Sequence, residues 1–130
     1  MIRFIFAVLI LFLANSANSA TNETIYKHCK KFTDSGFDEK HPSANYCLIY
    51  FVAVRDFGEN ICFEYKTNLE DLDSSEKSVF SFFSIAKDDS IDASIQDYVN
   101  KMKLMPENWK FNAAADVMES LQKIAPCKPE

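Results

Sequence analysis

The run Tyr46-Cys47-Leu48-Ile49-Tyr50-Phe51-Val52-Ala53-Val54 holds nine apolar residues without a polar break. In a water-soluble chain such a run is expected to be covered on nearly all sides, with the remaining elements packed around it. Its aromatic and β-branched content suits a buried strand as well as a helix. No partner strand is visible elsewhere, and an isolated strand leaves its backbone groups unpaired, so the run is read as helix.

Around it the apolar spacing is helical. A first helix is predicted from about Thr24 to Phe32, with Ile25, Cys29 and Phe32 on one face and Asp34-Ser35-Gly36 as its stop. The second is predicted from Pro42 through the apolar run to Phe57, with Gly58 as its C-terminal breaker. A third covers Glu59 to Glu70, with Ile61, Tyr65 and Leu69 on one stripe. Asp73 with Glu76 three residues on resembles a capping box for a fourth helix. That helix carries Val79, Phe82, Phe83 and Ala86 on one face and ends at Lys87. Asp88-Asp89-Ser90 caps a fifth, whose Ile91, Ile95, Tyr98, Val99, Met102 and Met105 form the clearest stripe before Pro106. A sixth carries Ala114, Val117, Met118, Leu121 and Ile124 and stops at Pro126. With only two glycines for turns, an all-β domain is disfavoured. The expected fold is a single all-α bundle of five or six helices.

The N-terminus changes the picture of destination. Arg3 precedes ten apolar residues, Phe4 to Leu13, and then the small and polar stretch Ala14 to Ala20. This is the layout of a secretory signal peptide, expected over residues 1–20 and cut close to Ser19 or Ala20. The apolar run falls short of the ~20 residues that span a bilayer. Residues 21–130 then form one soluble, extracellular domain with no membrane span. They carry 13 basic and 19 acidic residues, a net charge of −6. No basic patch with interleaved aromatics appears, so neither nucleic acid nor an anionic membrane is an expected partner.

Four cysteines in an exported chain point to two disulfides. Three pairings exist for Cys29, Cys47, Cys62 and Cys127. If the chain turns back at Gly58, Cys47 and Cys62 are offset by roughly 10 Å along the helix axes, beyond disulfide reach. Cys29 near the end of one helix and Cys47 near the start of the next are nearly level. The favoured set is therefore Cys29–Cys47 with Cys62–Cys127, and the crossed set, Cys29–Cys62 with Cys47–Cys127, comes next. Their gaps of 17, 14 and 64 residues contain no C-x-x-C and identify no family.

Candidate chemistry is sparse. His28 and His41 are the only histidines, and nothing in the sequence places them in one cleft. Asp71, Asp73 and Ser75 alternate like the start of an EF-hand loop, but Glu76 stands where glycine is needed and Phe82 where glutamate is needed. No catalytic residue, metal or cofactor is therefore expected. Asn22-Glu23-Thr24 is an N-glycosylation sequon, so Asn22 is a candidate glycan site. Aromatic bulk is plentiful, and Phe51, Phe83, Tyr98, Met102, Trp109 and Met118 are candidates to line an apolar-ligand pocket between helices. The expectation is a secreted protein that binds an extracellular partner rather than catalysing a reaction, or alternatively a carrier of a small lipid-like ligand.

Overall fold

The computed structural model describes residues 20–87 and 91–128. The expected signal segment, apart from Ala20, and the expected Asp88-Asp89-Ser90 cap lie outside the described residues. Five α-helices make up the described chain, with no strand longer than a single bridge: α1 Asn22–Asp34, α2 Pro42–Thr67, α3 Ser74–Phe83, α4 Ile91–Leu104 and α5 Ala113–Ile124. A 3-10 turn, Pro106–Asn108, joins α4 to α5. The all-α expectation holds.

Four of the helices begin where a described residue supplies a cap. Thr21 caps α1, and the Nδ1 of His41 accepts the Ser43 amide 3.1 Å away at the start of α2, with Pro42 in the first turn. Asp73 and Glu76 close the predicted capping box on α3, and Asn112 caps α5 through the Ala114 amide at 2.8 Å. After α1 the chain reverses through two left-handed residues, Gly36 at φ 73° and Phe37 at φ 61°. Phe37 is held there by its ring, edge-on to Phe32 at 5.2 Å.

One correction concerns Gly58. It breaks nothing: α2 runs straight through it for 26 residues, and the expected second and third helices are one. Gly58 is buried on the inner face, and an added Cβ would sit 2.5 Å from Ile85 Cδ1. Its lack of a side chain admits Ile85 against the helix, and the Ile85 amide donates to the Gly58 carbonyl at 3.0 Å. The helix stops instead at Asn68.

α1 packs on α2, α4 packs on α5 and α1, and α5 also reaches α2; α3 lies on α2. Ile25, Phe32, Phe51, Ile95, Tyr98, Met102 and Val117 fill the core. α4 buries Ile95, Tyr98, Val99 and Met102, as its stripe predicts. α3 departs from expectation. It ends at Phe83, none of its residues is buried, and Val79 and Phe82 of the expected inward stripe face solvent. Phe80 instead stacks on Tyr65, and Phe83 meets Phe57 edge-on. α5 turns Val117, Met118 and Leu121 inward as expected, but Ala114 and Ile124 lie outside.

Both favoured disulfides are present, Cys29–Cys47 with Cα atoms 5.0 Å apart and Cys62–Cys127 with 5.8 Å. Cys47 and Cys62 are kept apart not by the offset of a hairpin, since no hairpin separates them, but by α2 itself. They lie fifteen residues apart on one helix, roughly 22 Å along its axis, which forbids the bond more strongly.

Candidate functional site

The apolar run that was expected to be covered on nearly all sides is left open along one face: Cys47 and Phe51 are buried, Leu48, Tyr50, Val52 and Val54 are partly buried, and Tyr46, Ile49 and Ala53 are exposed. The α-helix advances about 100° per residue, so nine consecutive positions point in every direction. α2 lies against α1 and α5, and only its inner face, Cys47 and Phe51 within the run, is fully buried. Outward stand Tyr46, 51% exposed, Ile49, 71% exposed, and Ala53, at the i, i+3, i+7 spacing of one face. Tyr46 is fixed in place by His28 of α1, whose ring stacks on it at 4.4 Å and 21°. A single exposed apolar side chain is ordinary; three in a stripe on one rigid helix face form a patch. Phe63 is also exposed on the same side of α2, about 21 Å further along the axis, and Phe82, Leu104 and Phe111 are exposed outside α2.

The six residues proposed to line a pocket are distributed otherwise. Phe51 and Tyr98 meet edge to face at 5.6 Å, and with Met102 and Met118 they are buried in one core cluster. Trp109 lies at its margin on Tyr26, ring centroids 5.1 Å apart, and its indole N–H donates to the Met102 carbonyl at 2.9 Å. Phe83 stands partly buried at the α2–α3 contact against Phe57 and Phe82. The aromatic surplus is used in mutual packing.

The candidate glycan site Asn22 lies inside the fold. A glycan acceptor needs an accessible amide nitrogen, yet Asn22 is 0% exposed. Its Nδ2 donates to Asp116 Oδ2 at 2.7 Å and to the Asn108 carbonyl at 3.0 Å. Its Oδ1 accepts from the Tyr98 hydroxyl at 3.0 Å. Both amide hydrogens thus have partners inside the fold, and a sugar on Nδ2 would displace them. The network continues outward from Asp116, whose Oδ1 meets Lys101 Nζ at 2.7 Å, while Lys101 also reaches Glu119 at 2.6 Å. Burial pushes the Tyr98 hydroxyl far above its ordinary value, and the Asp116 and Tyr50 charges push it the same way. For Lys101 burial works to lower the pKa, but hydrogen bonds and charge from Asp116 and Glu119 outweigh it and hold the amine above its ordinary value. The backbone on either side is tied in as well: Asn22 N donates to Phe111 O at 2.8 Å, Glu23 N to Trp109 O at 2.9 Å, and Ala113 N to Ala20 O at 3.0 Å. No signal in the sequence separates a sequon asparagine from a buried one; only the tertiary placement of α4 and α5 does.

The two histidines have separate surroundings, His41 in the cap of α2 and His28 in the stack with Tyr46. Among the described residues no helix is long and apolar enough to cross a membrane. No family model, no curated protein and no solved structure shows significant similarity to this chain.

Proposed function

We propose that the protein is exported and acts by binding an extracellular protein through the outward stripe of α2. The observation that supports this reading is the exposure of Ile49 and Tyr46 on one face of a disulfide-anchored helix, next to Cys47 and its bridge to α1. A rigid, bridged helix loses little conformational freedom when it docks, so its apolar area converts efficiently into affinity. The domain's net charge of −6 suits a partner whose apolar contact surface has a neutral or basic rim, and disfavours self-association of two like-charged copies. Two disulfides accord with an oxidising, extracellular setting.

The test is native mass spectrometry of the protein recovered from the fluid into which it is released. A partner mass that is present with the wild-type chain and lost in Ile49→Glu, at unchanged thermal midpoint, supports the reading. A bare monomer in that fluid overturns it. A small apolar molecule bound instead of a protein would replace it with the carrier alternative.

A further inference from the structure

The two disulfides are not equivalent. Cys29 and Cys47 are both fully buried between α1 and α2. Cys62 is nearly buried, but its partner Cys127 is only half-buried, on the C-terminal tail beyond α5. That tail covers the segment that follows α3. Ala86 N donates to Ala125 O at 2.8 Å, and Ile85 bridges Pro126 in antiparallel register. On its other side Ile85 presses into the Gly58 notch of α2. Gly58 lies one helical turn before Cys62, and Ala125 two residues before Cys127. The Cys62–Cys127 bond therefore closes a ring around Ile85, with α2 on one side and the tail on the other.

α3 depends on this clasp. It has no buried residue of its own, and it rests on α2 by the rings of Phe80 and Phe83. Its C-terminal carbonyls are held from α5, where Gln122 Nε2 lies 3.2, 2.6 and 3.1 Å from the carbonyl oxygens of Ser81, Phe82 and Ser84. Gln122 and the clasp both belong to the end of α5 and the tail, which Cys127 fastens to α2. Beneath α3 lie Phe57 and Tyr65, against Phe83 and Phe80.

We propose that Cys62–Cys127 is a thiol-responsive lock on α3, independent of the structural Cys29–Cys47 bond. A dithiol reductant opens it in two steps. A thiolate attacks the Sγ of Cys127, the less buried partner, forming a mixed disulfide and expelling Cys62 as a thiolate. The second thiol of the reductant then displaces Cys127 as a thiolate, and the reductant leaves as a cyclic disulfide, oxidised by two electrons. With the tail released, Ile85 leaves the notch, α3 lifts, and the aromatic side of α2 at Phe57 and Tyr65 becomes accessible. The core around Phe51 and Tyr98, stapled by Cys29–Cys47, keeps its structure.

The experiment is a titration of the oxidised full domain with dithiothreitol. Differential alkylation with mass mapping reads the thiols, and hydrogen exchange reads the helices. The expected result is an interval in which Cys62 and Cys127 alkylate while Cys29 and Cys47 do not. Within it, amides of α3 and residues 84–86 exchange faster by about tenfold or more, α1 and α4 stay protected, and an apolar fluorescent dye binds. Joint opening of both bonds, prior opening of Cys29–Cys47, or α3 that stays protected after selective opening overturns the proposal. The double variant Cys62→Ser/Cys127→Ser gives a second reading without reductant. It should show the same local exposure of α3 with α1 and α4 intact, and global unfolding of this variant would also overturn the proposal.

Discussion

Replacing Asn22 separates the two meanings of its sequon. Asn22→Ala removes three side-chain hydrogen bonds, to Asp116, to the Asn108 carbonyl and from Tyr98. Each is worth about 0.5–1.5 kcal/mol net, and the buried groups left behind add to the loss. Tyr98 keeps an acceptor in the Asn22 backbone carbonyl at 3.2 Å, and Asp116 keeps Lys101, which limits the damage. The sum is about 2–4 kcal/mol. For a domain of this size that lowers the thermal midpoint by roughly 10–20 °C. Thr24→Ala is the matched control, because it destroys the same sequon while leaving the amide network untouched. Thr24 is exposed, and its loss should stay within about 0.5 kcal/mol. Urea or thermal denaturation of both variants, with the intact mass of the exported wild type, decides the matter. If Asn22 mattered only as a glycan acceptor, the two variants would be equally affected. Equal stabilities, or a hexose-bearing mass in the folded and bridged protein, refute the reasoning.

Further outcomes follow from other contacts. Gly58→Ala should destabilise by about 1–3 kcal/mol through overpacking against Ile85, despite the better helix propensity of alanine, and Ile85→Val in the same chain should recover part of that in denaturant titrations. Ile49→Glu should leave the stability in urea within about 0.5 kcal/mol of wild type, because the side chain is 71% exposed. A large loss there would mean that the outward face is structural. The pH response has a defined sign. Tyr98 and Lys101 both hold their protons more tightly when folded, so their contribution is complete below their ordinary values of 10.0 and 10.5 and is lost as pH rises beyond them. Stability measured against pH should therefore fall on the alkaline side, and Tyr98→Phe should remove the tyrosine part of that fall while lowering stability at neutral pH.

Much of the fold was legible because it rests on local rules. The expected stripe held four of the five buried residues of α4, Ile95, Tyr98, Val99 and Met102, and Asp73 with Glu76 marked the start of α3. The disulfide pairing was legible because helix geometry leaves few cysteines level with one another. The errors share one cause, which is that a residue's local propensity is overruled by what lies beside it in space. Gly58 reads as a stop in sequence, but the space it leaves is filled by Ile85, a residue 27 positions away. Asn22 reads as a surface sequon, but α4 and α5 close over it. The apolar run reads as a core because its hydrophobicity was taken as an average. Its period was the better guide, since nine consecutive apolar residues on a helix point in every direction and cannot all face inward.

That last point bears on why the exposed stripe is there at all. Ile49 is 71% exposed and contributes little buried area to the fold, and apolar side chains at such sites carry an aggregation hazard. A polar residue at Ile49 would shorten the run without touching Cys47 or Phe51. α2 thus bears two apolar faces back to back, one that holds the domain together through Cys47, Phe51, Gly58 and Cys62, and one that the domain itself leaves unmatched. The inner face explains the fold. The outer one, with Tyr46 and Ile49 exposed, is the surface that the proposed partner would cover, and substitutions there rather than in the core test that proposal.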